Sequence, residues 1–384
     1  MKKTLSIILM LLLLLSMSCS KNNVEQNTIL GKFNIDKAIK TVDDYMIAVM
    51  KNDVNLQNKL YSSKLKKISN TKNRENLIVN GYKFDEITQA GDMGIMQVKV
   101  SEINSNVPYA SLKTETFKVI KEDNSYRIKG IDTQNEKELF VSGINNDQIR
   151  LRTKNNVKTN LVTNFDGMPK YYYNQDDKTK NEKIPISMDE FGLVGLSYDG
   201  NSGFITTKGK NPYIEIVNFD ESMATQGGVS GQGQGGSTSG AGTGSGTGSG
   251  GGSTENDIVP EKPIGKEIVS LDVIPNAIIK NSIYSLNNRY LVIQYAKNNS
   301  GNTLKMYKCK DGDDIPFDFE KNYPIDKVDL TIINFVKNGL IYRVTPRAAY
   351  VNDKSLKNIV GTWQIDTDEF KVKSVNEAKA NTSQ

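Results

Sequence analysis

The chain has 384 residues, a formal net charge of +5, two cysteines and no histidine. The missing histidine excludes Ser-His-Asp and Cys-His catalysis and every histidine-dependent zinc site, and leaves acid–base work to carboxylates, lysine or tyrosine. Basic and acidic residues are interspersed, so no concentrated basic face for nucleic acid is expected.

The N-terminus pairs Lys2 and Lys3 with an apolar run over residues 5–15, then Ser16, Met17, Ser18 and Cys19. A charged start, a short apolar run and small residues at a cleavage point make a secretory signal. The run is shorter than the ~20 residues that span a bilayer. With Cys19 directly after the small residues, the segment resembles the lipobox of bacterial lipoproteins. It departs from that pattern at Ser16, where leucine is more usual. The resemblance implies a signal peptide over 1–18, acylation of Cys19, and a protein lipid-anchored at the extracytoplasmic face of the cell membrane. Losing Lys2 and Lys3 would lower the charge to about +3. Residues 19–30 are polar and read as a tether.

A domain is expected over 31–145. Ile35, Ala38, Ile39, Val42, Met46, Val49 and Met50 recur at helical spacing, with Asn34 or Asp36 available as a cap. A second helical stretch follows around Leu56, Leu60 and Leu65. From Tyr82 the period changes to two: Met96, Val98 and Val100 alternate with polar residues, as do residues 112–120. Lys121-Glu122-Asp123-Asn124 is a turn, and Tyr126-Arg127-Ile128 resumes the strand. Helices followed by a strand meander predict an α+β domain, with helices on one face of a curved sheet. Residues 38–65 and the hairpin over 116–128 resemble the NTF2-like domains of bacterial lipoproteins. That family's cavity is in some members an active site with an Asp-His pair, which this chain cannot supply. Other members serve as binding or assembly modules.

From Ile149 onward short strands dominate, and one β-rich domain is expected over 149–375. Its units run strand, Asp/Asn/Gly turn, buried strand. Ser197-Tyr198-Asp199-Gly200 is the sharpest turn of the set, and about four units are recognisable. They resemble the blades of TolB-like and WD40-like β-propellers; a β-sandwich of the same strands is the rival arrangement. Residues 227–254 carry 14 of the 31 glycines, otherwise mostly with Ser, Thr and Gln. Such a tract cannot bury enough apolar surface to fold. It reads as an insertion in the β-rich domain or, alternatively, as an interdomain linker. Residues 376–384 form a polar tail.

No catalytic, metal or cofactor motif stands out. Asp311, Asp313 and Asp314 resemble a calcium loop in charge, but Ile315 and Pro316 break the ligand pattern; a turn between two strands is expected, with a calcium site as the alternative. Cys309, without a partner if Cys19 is acylated, reads as a small buried residue or a lone reactive thiol. Tyr171, Tyr172 and Tyr173 alternate across a strand and cannot share one face. Trp363 reads as a core anchor. The pairs Asp43/Asp44 and Asp176/Asp177 read as solvated charge rather than acid–base machinery. The expectation is a non-catalytic binding or scaffolding lipoprotein for an envelope protein or cell-wall polymer; the alternative is a carboxylate-dependent hydrolase of cell-wall glycan.

Overall fold

The computed structural model describes residues 33–65, 76–154, 158–174, 179–225, 261–298 and 300–375. Two compact units are distinguished, Met1–Asn34 and Ile35–Gln384, and the second holds everything below. The signal segment, Cys19, the tether, the glycine tract and the tail lie outside the described residues.

Helix α1 (Ile35–Met50) buries Ala38, Val42, Tyr45, Met46 and Ala48 on one stripe, the periodicity expected of it. Asn52 takes a left-handed φ of 54° and the helix stops there, since asparagine tolerates that conformation better than most residues. Asp53 starts α2 (Val54–Leu60), its Oδ1 accepting the Leu56 N–H at 2.9 Å. Leu65, expected in this helix, lies beyond its end.

The strands β1 (Leu77–Ala90), β2 (Met93–Asn104), β3 (Tyr109–Glu122), β4 (Ser125–Ser142), β5 (Gln148–Thr153) and β6 (Thr159–Asn164) pair in chain order as one six-stranded antiparallel sheet. At the β3–β4 turn Asp123 and Asn124 both have positive φ, at 47° and 62°. Two such residues give a two-residue turn whose twist matches that of the strands it joins. The expected domain boundary at 145–149 needs correction. Val141 pairs with Ile149 and Phe140 with Arg150, so the sheet runs straight through it.

Three further meanders follow. The first holds β9 (Phe191–Leu196), β10 (Ser202–Thr207), β11 (Tyr213–Phe219) and β12 (Gly265–Val273). The second holds β13 (Ala277–Tyr284), β14 (Tyr290–Lys297) and β15 (Asn302–Lys308). The third holds β16 (Val328–Val336), β17 (Gly339–Pro346), β18 (Gly361–Asp366) and β19 (Val372–Ser374), after a one-turn helix α3 (Phe319–Asn322). Short strands β7 (Tyr171–Tyr172) and β8 (Ile184–Pro185) form a separate ribbon. The protein is mostly β, built from blade-like up-and-down sheets. β11 and β12 are paired neighbours, Tyr213 opposite Val273 and Val217 opposite Ile268, so the chain between them leaves and re-enters one sheet.

The sheets stack in order. Ile103, Leu112, Leu139 and Leu151 of the first pack on Val194, Leu196, Ile205 and Val217 of the second. The second sheet's other face gives Leu193, Phe204, Ile214 and Leu271 to Tyr284, Leu291 and Tyr307 of the third. The third gives Val292, Leu304 and Met306 to Leu330, Phe335, Leu340 and Tyr342 of the fourth. Two sheets are thus buried on both faces, which a two-layer sandwich does not allow.

The turn chemistry repeats. Ser197 Oγ lies 2.6 Å from Asp199 Oδ1 and 2.9 Å from the Ser202 carbonyl oxygen, either of which can take its one proton, with Gly200 at φ 70°. One sheet later Ser285 Oγ donates to Asn287 Oδ1 at 2.8 Å and receives the Tyr290 N–H at 2.9 Å, with Asn288 at φ 56°. Asn288 Oδ1 also accepts the Tyr198 N–H at 3.0 Å, tying one turn to the other.

Gly339 closes the β16–β17 hairpin at φ 152°, and a Cβ there would lie 2.1 Å from the Ile365 carbonyl oxygen. Backbone cannot yield as a side-chain tip can, and the dihedral is strained for any L-residue. Gly339→Ala is expected to destabilise the protein by ~2 kcal/mol or more, read as a lower urea midpoint. An unchanged midpoint would contradict this packing.

Candidate functional site

The first strands of the four larger sheets, β1, β9, β13 and β16, are all edge strands of their sheets. They converge. Asn80 on β1 donates through Nδ2 to the Ser282 carbonyl on β13 at 2.9 Å, and a Cβ on Gly81 would lie 2.3 Å from the Tyr198 hydroxyl. The first, second, third and fourth sheets share large cores in succession. Among the described residues, the outer face of the fourth sheet carries Val336 and Ile341 as a small buried cluster, with Ile333 and Val375 against it. The seam where the fourth sheet returns to β1 is therefore only partly filled.

A groove of about 420 Å³ occupies this seam. The C-terminal end of α1 supplies Ile47, Met50 and Lys51, and β1 supplies Ile78, Val79 and Asn80. Asn281 comes from β13, residues 331–334 from β16, and Arg343 and Thr345 from β17. Its walls are aliphatic, and among the described residues two cations and no carboxylate line it. Asn80 and Asn334 are each 6% exposed, and each leaves its side-chain carbonyl oxygen without a hydrogen-bond donor. A buried acceptor without a donor costs roughly 1–3 kcal/mol, and both oxygens are closed to solvent.

A second concavity, about 480 Å³, is polar. Lys305 Nζ lies 2.5 Å from Asp272 Oδ2 and 3.0 Å from Asp314 Oδ2, and the Tyr307 hydroxyl donates to Asp272 at 3.0 Å. Glu320 accepts from the Tyr295 hydroxyl at 2.6 Å and from Lys297 at 2.9 Å. Burial opposes the Lys305 charge, but Asp272 and Asp314 outweigh it and raise its pKa. Burial raises the Asp314 carboxyl against the pull of Lys305. Each of these carboxylates is thus paired with a lysine, Asp272 and Asp314 with the same one.

Three carboxyls are displaced strongly by burial. Asp43, on the buried side of α1, is pushed up to about 6 by burial, against a hydrogen bond from the Tyr82 hydroxyl at 2.5 Å. Glu115 on β3 rises to about 7 through burial and the nearby Glu102, opposed by Lys113. Glu215 on β11 rises to about 8 through burial, against the influence of Tyr213. None of the three lines the groove or the polar cleft. Glu102 itself is bridged to the buried Lys113.

The residues singled out in the sequence do not converge on one site. Asp44 is paired with Lys40 on the α1 surface at 2.8 Å, whereas its neighbour Asp43 is buried, which corrects the expectation that both are solvated. Asp176 and Asp177 lie outside the described residues. Asp311 accepts the Asp313 N–H at 3.1 Å in a turn, Asp313 faces Lys308, and Asp314 joins the polar cleft. Among the described residues no group of three or more His, Cys, Asp or Glu side chains is placed to hold a metal ion. Cys309 is half-buried with a free thiol, and burial pushes its pKa up to about 12, which keeps it unreactive at neutral pH. Tyr172 is buried with its hydroxyl on the Leu271 carbonyl at 3.0 Å, and Tyr171 is exposed on the other face. Trp363 packs against the fourth sheet's core, its Nε1 donating to the Ile359 carbonyl at 2.7 Å. Sequence reasoning missed Asn80, Asn334 and Arg343. Their signal was a polar residue inside an otherwise buried strand, as in Ile332-Ile333-Asn334-Phe335.

No protein-family model matches the chain, and no curated protein matches it. Among solved structures it is similar to a puromycin-hydrolysing peptidase of Mycobacterium tuberculosis. The match has 9% identity and a TM-score of 0.31, and covers 77% of this chain and 38% of that one. TolB from Acinetobacter baumannii matches at 8% identity and TM-score 0.24, over 65% of this chain and 57% of that one. The β-propeller domain of Cps50 (Swd1) from Myceliophteria thermophila matches at 7% identity and TM-score 0.22, over 69% and 80%. The chain thus spans well under two thirds of the peptidase and of TolB. At these scores the similarities assign this chain no activity.

Proposed function

We propose that this protein is a lipid-anchored binding module on the extracytoplasmic face of the cell membrane, and that the seam groove is its ligand site. The groove carries the reading. Among the described residues its lining combines aliphatic walls with two cations and the side-chain amides of Asn80, Asn281 and Asn334, and no carboxylate, cysteine or serine lines it. The first four strands with α1 and α2 act as an NTF2-like support, and the four sheets form a propeller-like ring whose first strands surround a common axis. The partner is an envelope protein or a cell-wall polymer, not nucleic acid. Immobilised mature protein is expected to retain solubilised cell-wall fragments or envelope proteins, and Ile333→Asp, which charges a groove wall, to cut retention at least tenfold. Unchanged retention would contradict the reading.

Anchoring rests on the sequence over residues 1–19. Among the described residues no helix is long and apolar enough to cross a membrane. Cys19→Ala is expected to leave the signal uncut or to release the protein from membranes. A variant that is processed and still partitions into membranes would sink the lipoprotein reading.

One observation favours the alternative, a carboxylate-dependent hydrolase of wall glycan. Asp272 and Asp314 meet at one lysine in the polar cleft, and two carboxyls in one cleft are what a glycosidase needs. Lys305 Nζ stands between the two carboxyls, however, where a glycosidic bond would have to lie. No turnover of peptidoglycan fragments is expected. Turnover that Asp314→Asn abolishes would replace the binding reading with the hydrolase.

A further inference from the structure

The ribbon of β7 and β8 sorts its consecutive tyrosines onto two faces. Tyr172 pairs with Ile184 across the ladder, and both turn inward onto the core shared by the first and second sheets. Tyr171 pairs with Pro185, and these two are exposed on the outward face, Tyr171 at 50%. Side chains two apart share a face of an extended chain, so the half-buried Tyr173 follows Tyr171 outward. Lys183 Nζ lies 5.8 Å from the centroid of the Tyr171 ring, and Lys180 Nζ 5.7 Å from that of Tyr173. Both lysines are exposed. The outward face thus presents two aromatic rings, a proline and two cations.

The ribbon is held in place from behind. The Tyr172 hydroxyl donates to the Leu271 carbonyl at 3.0 Å, the Ile186 N–H to the Lys170 carbonyl at 3.2 Å, and Asn211 Nδ2 to the Pro185 carbonyl at 3.0 Å. Met168, Tyr172, Ile184 and Ile186 supply its packing, so the core does not account for the outward rings. Tyrosines on a fixed support offer contact area at little entropic cost, because each has two χ angles to immobilise.

Rings and cations together select the ligand. The face of a tyrosine ring carries partial negative charge and attracts the weakly positive C–H groups of a sugar ring. A lysine beside the ring answers an acid group on that sugar, and its flexible stem lets the ammonium follow it. Over residues 169–186 Lys170, Lys178, Lys180 and Lys183 outnumber Asp176, Asp177 and Glu182, which favours an anionic partner over a cationic one. We infer that the outward face of this ribbon binds an acidic polysaccharide. Its sugar rings stack on Tyr171 and Tyr173, and its acid groups lie beside Lys180 and Lys183. This deepens the cell-wall polymer reading above and adds a contact separate from the seam groove.

The test uses the mature chain and three probes. Oligogalacturonate carries sugars and carboxylates, its methyl ester keeps the sugars without the charge, and polyglutamate keeps the charge without the sugars. Calorimetric titration is expected to rank the sugar acid first, with the ester and polyglutamate each about fivefold weaker or more. Tyr171→Ser and Tyr173→Ser are each expected to weaken both sugar probes by about fivefold or more and to leave polyglutamate unchanged. Lys180→Gln combined with Lys183→Gln is expected to bring the acid down to the level of the ester. The thermal transition of each variant reports its folding. No binding of oligogalacturonate, or tyrosine variants that bind it as the parent does, would overturn the inference. Polyglutamate bound as tightly as the sugar acid would overturn the glycan assignment, and the ester bound as tightly would overturn the acidic one. If retention of cell-wall fragments falls with Ile333→Asp but not with either tyrosine variant, this inference fails and the proposed groove stands. If it falls with the tyrosine variants and not with Ile333→Asp, the groove fails and the ribbon is supported.

Discussion

Replacing Glu215 with methionine is expected to raise stability by several kcal/mol at pH 8–9 and by little at pH 4–5. Glu215 is fully buried between neighbours Tyr213, Ile214, Ile216 and Val217 in β11. Burial pushes its carboxyl up to about 8, whereas in the unfolded chain it titrates near the ordinary glutamate value of 4.5. Below pH 4.5 both states carry the proton and the raised pKa costs nothing. Between 4.5 and 8 the folded state holds a proton that the unfolded state has released, so stability falls as pH rises. Each pH unit across that window is worth about 1.4 kcal/mol, and the whole loss approaches ~5 kcal/mol once pH passes the folded value. That is a large share of the roughly 5–15 kcal/mol that holds an ordinary domain together. Methionine fills similar volume without a charge to desolvate. Urea unfolding of both proteins at pH 5, 7 and 9 checks this. The two curves should diverge as pH rises; parallel curves would contradict the burial of this carboxyl. Asp43 and Glu115, pushed up to about 6 and about 7, act in the same direction and remain in both proteins, so the difference isolates Glu215.

Cutting the chain between residues 226 and 260 is expected to leave the protein folded and its two fragments associated under native conditions. The cut falls between β11 and β12, which are paired from Tyr213–Val273 through Phe219–Gly265. The same two fragments share the core in which Val194, Leu196, Ile205 and Val217 meet Ile264 and Val273, and the core of the third sheet as well. Separation would require exposing that apolar surface, at about 25 cal/mol for each Å². The glycine-rich composition makes the tract a preferred protease site. Size-exclusion chromatography after limited proteolysis should show one species of unchanged size, resolving into two bands only in denaturant. Fragments that part on the column would mean that the tract joins separate domains.

Local patterns carried much of the fold. The stripe Ala38, Val42, Met46 named a helix and its buried face, the turn at Asp123 and Asn124 named a hairpin, and Ser197-Tyr198-Asp199-Gly200 named the joint between two strands. The sister joint at Ser285-Leu286-Asn287-Asn288 uses the same hydrogen bonds with Asn in place of Asp and Gly, so the shared geometry was hidden by the substitution. The boundary at 145–149 was misplaced because alternation is a property of single strands. β4 and β5 alternate alike whether they pair or part, and only the ladder from Val141 to Ile149 reveals that they pair. Asp43 and Glu215 were illegible for a related reason. A lone carboxylate in a periodic element reads as facing solvent, and only the layer packed against it reverses that reading. The groove lay deeper still. It is made by elements far apart in sequence, and its two asparagines acquire meaning only when β1 and β16 stand on either side of one seam.

Hydrogen exchange on the mature chain, with and without the cell-wall fragment or envelope protein it retains, tests the central claim most directly. Protection is expected at 77–80 on β1, at the last turn of α1 and at 331–334 on β16, with the amides around Lys305 in the polar cleft unchanged. Protection confined to the polar cleft, or none at the seam with ligand in saturating excess, would contradict it.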